Sequence, residues 1–320
     1  MQVTEFSCGG FVVGVTWNHA VADGAGMAQF LQAVGELARG LPAPAVVPVR
    51  TDESLPPSLP PLVAIGRQLL SRLEPREFAM FDATVPSSLI NRIKAEFRGR
   101  SDGQRCTVSE AVIAVVWQCR TRVIAADHPD APALLVFVAN VRKHVGAKDG
   151  YYSNCVTAQL VMAPSAAVAS GDVVDVVKMI KDGKERIPEQ LKQQDGSGSD
   201  DMLMLQQVMK GQERQLSDVL RYSVLSVSCL RNLGLGEPDF GGGRPARVTC
   251  RAPQMALPAC VTCLPRRGED DAGASVLLRC VREEHAQAFL GELTAAVADP
   301  GFRGRVLPLP YNKDIVQSKI

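Results

Sequence analysis

Aromatic residues are scarce in this chain, at 5% of 320 residues with two tryptophans. Charge of one sign is missing too: 35 Lys and Arg face 34 Asp and Glu, for a formal net charge of +1. With no basic stripe and no interleaving of aromatic and basic residues, the usual footprint of nucleic-acid binding is absent. No apolar run approaches the roughly 18 residues that a spanning helix needs. Met1-Gln2-Val3-Thr4-Glu5 does not read as a secretory signal. Histidine is rare as well, at four residues.

What is present is core-forming material. Hydrophobic residues make up 46% of the chain, enough for a large core and two lobes. Nine cysteines, an odd number scattered through apolar segments, read as reduced intracellular thiols. Cys260-Val261-Thr262-Cys263 has no second cysteine pair and no nearby histidine. It reads as strand residues flanking a β-branched pair, and no metal site is expected.

The stretch from Thr16 to Gly26 concentrates the chemistry. The apolar run Phe11–Val15 before it reads as a strand, and Met27, Phe30, Leu31, Val34 and Leu37 after it recur at helical spacing. His19 is then expected at a strand end and Asp23 near a helix start, with Gly24 and Gly26 in the turn between. By itself the pattern leaves two readings open. One is a core histidine beside an N-capping aspartate; the other is a general base held rigidly at the mouth of a cleft.

Along the chain, residues 2–7 and 10–18 read as strands joined by Cys8-Gly9-Gly10. Prolines 42, 44, 48, 56, 57, 60 and 61 mark a stiff connection over 41–75. Ser87–Phe97 reads as a short helix, and Thr107-Val108-Ser109-Glu110 as a capping box opening a buried helix to about Ala126. Leu134–Val141 reads as a buried strand, followed by a Tyr151-Tyr152-Ser153-Asn154 loop and a strand through Val161. Two amphipathic helices, 172–194 and 200–220, flank a flexible Asp195–Ser199. Residues 222–228, 247–263 and 275–281 read as strands, and 283–297 as a helix.

Several of these residues carry a resemblance. His19-Ala20-Val21-Ala22-Asp23-Gly24 resembles the H-x-x-x-D-G motif of the plant BAHD acyl-CoA-dependent acyltransferases. Asp239-Phe240-Gly241-Gly242-Gly243 is similar to that family's D-F-G-W-G signature. Asn140-Val141-Arg142, the Tyr-x-x-Asn loop, the helix Ser109 to Arg120 and Cys8-Gly9-Gly10-Phe11 match in order.

The resemblance implies an α+β, two-lobe fold like chloramphenicol acetyltransferase, with mixed sheets flanked by helices and a channel between the lobes. It implies acyl transfer from acyl-CoA, as cosubstrate with no bound cofactor, to a hydroxyl or amine of a small plant metabolite. His19 would be the general base, a task suited to an imidazole because its ordinary pKa lies near working pH. Asp23 would support the histidine loop by pairing with Arg142. Gly24, Asp239, Phe240, Gly241 and Gly243 would be structural. The nearest branch implied contains alcohol acyltransferases, with benzoyl-CoA or acetyl-CoA and a small alcohol as substrates. A monomer is implied, without nucleic-acid or membrane partners.

Some residues depart from the pattern. Gly242 stands in place of the motif's tryptophan, and loss of such a ring from a core costs about 3–5 kcal/mol. Ser153 replaces a glycine, and Leu230 stands where an aromatic residue is expected. Judged by motif position, roughly a third of the usual chain before the histidine is expected to be absent. The expected division is 1–40 as a remnant of the N-terminal lobe, 41–75 as crossover linker and 76–320 as the C-terminal lobe. A segment around 240–262 is expected to pack with the N-terminal lobe. The alternative function is a non-catalytic, truncated family member. The cytoplasm is the default location; Ser318-Lys319-Ile320 is one residue from the Ser-Lys-Leu peroxisomal address.

Overall fold

A computed structural model describes residues 1–53, 55, 74, 76–192, 214–250, 255–268, 273–297 and 307–308. Strands β1 (Gln2–Glu5) and β2 (Phe11–Gly14) precede helix α1 (Gly24–Ala38). Strand β3 (Phe81–Pro86) leads to α2 (Ser87–Arg100) and α3 (Val108–Ala125). Next come β4 (Ala133–Asn140), α4 (Arg142–Val145) and β5 (Val156–Ala163). Helices α5 (Ser165–Ser170), α6 (Val173–Glu185), α7 (Ile187–Lys192) and α8 (Arg214–Ser223) follow. Strands β6 (Val224–Cys229), β7 (Ala259–Cys263) and β8 (Gly273–Arg279), helix α9 (Ala286–Val297) and strand β9 (Leu307–Pro308) come last.

The chain forms two compact units. One comprises Met1–Pro57, Val141–Val156 and Leu233–Arg244, the other Ser58–Asn140, Thr157–Asn232 and Pro245–Ile320. Boundaries at 40 and 75 do not describe this grouping, because the loop around 151–155 bonds to the histidine stretch, the loop around 239–243 bonds to the far end of α1, and both join their unit. Of the expected 240–262 segment, the part to Arg244 lies in the first unit and the part from Pro245 in the second. Residues 41–53 of the expected linker lie in the first unit; 54, 56–73 and 75 are outside the described residues. Also outside them are 195–199, the start of the helix expected from 200, and the 318–320 tail.

In the first unit β1 and β2 pair antiparallel, with Val3 opposite Val13 and Gln2 opposite Gly14. The turn closes through Gly9 N–H to Phe6 O at 2.9 Å, with Gly9 at φ +79°. Strand β2 stops at Gly14, where its pairing with β1 ends, so it falls short of the expected 10–18. Val3, Phe6, Phe11 and Val12 of this hairpin are exposed.

In the second unit the described strands form one sheet in the order β5-β4-β6-β7-β8-β3-β9. Strands β4, β6 and β7 run parallel to their neighbours in that set, while β7–β8, β8–β3 and β3–β9 are antiparallel. Helix α3 begins at the capping box: Thr107 Oγ1 accepts from Glu110 N, and Glu110 Oε2 accepts from Thr107 N at 2.8 Å. It packs against α5, α6 and α9, and Trp117 in it is fully buried. Its Arg120, also buried, donates to the carbonyls of Tyr222, Ser223 and Cys280. It thus caps the end of α8. Tyr222 belongs to that helix rather than to the following strand, and the expected 172–194 helix breaks after Glu185, just before Pro188. Among the described residues of the strand expected over 247–263, Ala259–Cys263 is the regular part.

Candidate functional site

The site grows from the first turn of α1. Asp23 is its N-cap, with Oδ1 accepting from Ala25 N at 3.1 Å and Gly26 N at 3.0 Å. Such a residue satisfies donors that the helix cannot reach. Gly24 and Gly26 therefore lie inside the helix, not in a turn before it. Gly26 is needed for close approach: a Cβ there would collide with the Tyr152 carbonyl.

Arg142 meets the same carboxylate with both guanidinium ends. Nη1 donates to Oδ2 at 2.8 Å and Nη2 to Oδ1 at 2.9 Å. Bidentate pairing of this kind is both strong and directional. Further partners of the pair come from the loop after α4. Arg142 Nε donates to Tyr151 O at 3.0 Å, Nη2 to Ser153 O at 2.7 Å, and Cys155 N–H reaches Asp23 Oδ2 at 3.0 Å. Asp23 is 2% exposed. Burial pushes its carboxyl up, but the Arg142 guanidinium and the N–H groups of Cys155 and Gly26 outweigh burial and hold it below the usual value.

His19 is placed differently from expectation. Strand β2 ends five residues earlier, and His19 begins a turn at 19–21. Asn18 builds that turn: its Oδ1 accepts from Ala20 N at 2.9 Å and its carbonyl from Val21 N at 2.9 Å. This is the local bonding that asparagine favours in turns. Trp17 donates its indole N–H to Ala22 O at 3.0 Å, and its ring stacks near the His19 ring with centroids 6.2 Å apart. Asn154 Nδ2 donates to the His19 carbonyl at 2.7 Å. His19 is exposed, held by its main chain.

The second motif lies at the other end of α1, about 20 Å along a helix of this length. Asp239 Oδ1 accepts from Gly241 N at 2.8 Å and Gly243 N at 2.9 Å, and Arg39 Nη1 lies 3.4 Å from Oδ2. Those N–H groups and then Arg39 lower its carboxyl from the ordinary value. Gly241 and Gly243 have φ of +104° and +94°, which side-chain-bearing residues rarely adopt. A Cβ on Gly35 would lie 2.6 Å from Asp239 O, so the loop sits directly on the helix. Gly242 faces the Phe11 ring, and a hollow of about 340 Å³ opens among Met1, Val3, Phe11, Val13 and Phe240.

The structure thus brings Asp23, Arg142 and the 151–155 loop together beside His19, and places Asp239–Gly243 apart from them. Sequence reasoning gave no role to Trp17, Asn18 or Asn154. The signals available were the Tyr-x-x-Asn loop that carries Asn154 and the asparagine before His19, a residue common in turns. Among the described residues no group of three or more His, Cys, Asp or Glu side chains could hold a metal. Cys260 and Cys263 are buried in β7, and burial pushes the Cys263 thiol up to about 12.

The fold is that of the chloramphenicol acetyltransferase-like acyltransferases, with helices flanking mixed sheets. Among solved structures it is similar to vinorine synthase, at a TM-score of 0.62 and 18% identity over 92% of this chain and 64% of that one. It is also similar to TRI101 of F. sporotrichioides complexed with coenzyme A and T-2, at a TM-score of 0.54 and 16% identity over 84% and 63%. The Transferase family model matches residues 1–293, and the chain belongs to this family of BAHD acyltransferases. Acyl transferase 15 of Oryza sativa subsp. japonica is 45% identical over 297 residues, covering 92% of this chain and 65% of the relative. The chain spans about two thirds or less of the length of the curated relatives it first matches.

Proposed function

We propose that this chain moves an acyl group from acyl-CoA to a hydroxyl or amine of a small plant metabolite, with His19 as general base. The observation that carries the reading is the bidentate Arg142–Asp23 pair, which anchors the turn bearing an exposed imidazole. The family and the acyl transferase relatives support the reaction class. A neighbour of this fold solved with coenzyme A supports the donor.

In this reading the neutral His19 ring takes the acceptor's proton as its oxygen or nitrogen attacks the thioester carbonyl. The tetrahedral oxyanion collapses, the C–S bond breaks and CoA leaves as thiolate. The proton on His19 passes to the thiolate or to solvent, restoring the base. Asp23 touches no reacting atom; with Arg142 it holds the turn. Asp239, Phe240, Gly241 and Gly243 keep α1 in place from its far end. Acyl-CoA serves as cosubstrate, and the protein acts as a monomer in the cytoplasm, with the peroxisome as a second destination to test by tail fusion.

A second reading, a family member that does not turn over, is favoured by Gly242 and by the exposed apolar residues of the β1–β2 hairpin. CoA release is the test, with benzoyl-, acetyl-, malonyl- and hydroxycinnamoyl-CoA against mixed alcohols and amines. Release that disappears in His19→Ala supports the transferase. Silence from a cooperatively folding protein selects the second reading.

A further inference from the structure

The loop at 151–155 makes four of the bonds that hold the histidine turn and its ion pair. Tyr151 O and Ser153 O accept from Arg142, Asn154 donates to His19 O, and Cys155 N–H donates to Asp23. None of these five residues lies in a helix or a paired strand, apart from one isolated bridge at Tyr151. Something outside the loop must therefore fix it.

Residues 46–53 do so. Val49 N donates to Gly150 O at 2.9 Å and Val49 O accepts from Tyr152 N at 3.1 Å, a parallel bridge between Val49 and Tyr151. Ser153 Oγ donates to Arg50 O at 3.0 Å. Gly150 is at φ +82° and packs so closely on the Val47 carbonyl that no Cβ fits. At the end of this strap Asp52 turns in. Its side chain is fully buried, Oδ2 accepts from Lys148 N at 2.9 Å and Oδ1 lies 3.2 Å from Lys148 Nζ.

We propose that Asp52 is a positioning residue for His19, acting through the 148–155 loop to set where the imidazole stands; this rests on the reading of His19 as base. The working part of the Asp52 contact is its acceptor oxygen. Lys148 is 61% exposed, so its ammonium adds little in solvent. The buried carboxylate receiving a main-chain N–H is a charge-assisted bond whose loss leaves that N–H without an acceptor. A chain of contacts then runs from Lys148 through Gly150 and Tyr152 to Ser153, Arg142 and Asn154. Asparagine at position 52 keeps an acceptor oxygen and removes the charge.

Amide hydrogen exchange and turnover are read side by side for wild type, D52A, D52N, S153A and H19A. In D52A the Gly26 and Cys155 amides, both donors to Asp23, exchange at least about tenfold faster than in wild type, while D52N stays within about threefold. Amides of α3, in the second unit, keep their wild-type rates. In D52A kcat falls about tenfold with the KM for acyl-CoA unchanged, and D52N restores it.

Unchanged exchange in D52A, or D52N as fast as D52A, overturns the proposal. If D52A does not fold, S153A decides: faster Cys155 exchange supports the strap, and a wild-type rate overturns it. H19A separates the two ideas. Turnover that survives in H19A removes the base while the exchange result stands. Loss of turnover in H19A beside wild-type exchange and kcat in D52A removes Asp52 alone.

Discussion

The side-chain amide of Asn154 donates to the main-chain carbonyl of His19 at 2.7 Å, joining residues 135 positions apart. The next residue, Cys155, sends its N–H to Asp23. One loop therefore grips the histidine turn at both ends of the H-x-x-x-D spacing, and it does so through backbone and amide groups, leaving the imidazole exposed.

Asn154→Ala removes that donor without touching the ring. We expect kcat to fall about 10- to 100-fold, since small misplacements of a reacting group carry penalties of that order. The KM for acyl-CoA stays near wild type. A rise in KM alone, with kcat intact, would sink this account of the turn.

Arg142→Ala leaves a buried carboxylate without its cation. Breaking such a pair costs about 3 kcal/mol or more, read as a shift in the urea midpoint. Arg142→Lys loses the two-pronged geometry and lies between wild type and alanine. Equal stability of Lys and wild type at this position would mean that charge alone matters.

Asp23 also makes the first unit sensitive to acid. Its folded carboxyl is held below the unfolded value of about 3.9. The ionised form is thus favoured by folding, and its stabilisation is fully present above that value. It is lost as pH falls through the lower, folded pKa. In urea titrations from pH 7 to pH 2, the stability gap between wild type and Asp23→Asn narrows toward acid pH. A gap that stays constant contradicts the assignment.

Gly26 and Gly35 lie on α1 against the main chains of Tyr152 and Asp239. Alanine at either position must push a loop backbone away, at a cost of about 1–3 kcal/mol or more. This outweighs the roughly 1 kcal/mol by which alanine favours a helix. Chemical denaturation of the two single variants checks the sign; stabilisation by either would show that the loop moves freely.

Thiol labelling separates surface from core. Cys8 is exposed, whereas Cys260, Cys263 and Cys280 are buried, with burial raising all three thiols. Iodoacetamide at about pH 8 modifies Cys8 in the native protein and reaches those three after unfolding. Native labelling at Cys263 would reopen a chemical role for the C-x-x-C.

Local signals were legible without coordinates. Thr107 and Glu110 form their reciprocal cap because the bond spans three residues, and Asp23 caps α1 for the same reason. The alternation around Val13 and the apolar run of β4 placed strands within a few residues. Boundaries moved where pairing or proline intervened, as at Gly14 and before Pro188. The pairing of Asp23 with Arg142 was suggested by family likeness, since nothing in local spacing links residues 119 apart.

By itself, then, the sequence determined the helices with their caps, the buried strands and the two motifs, because periodicity and short-range hydrogen bonding are written in adjacent residues. Tertiary structure decided the rest. Only folding could show that His19 stands in a turn built by Asn18, that Gly26 and Gly35 are spaces for passing backbones, and that residues 46–53 clamp the loop holding Arg142. These depend on where distant main-chain donors and acceptors come to lie, and every residue but proline carries the same main-chain N–H and C=O whatever its side chain.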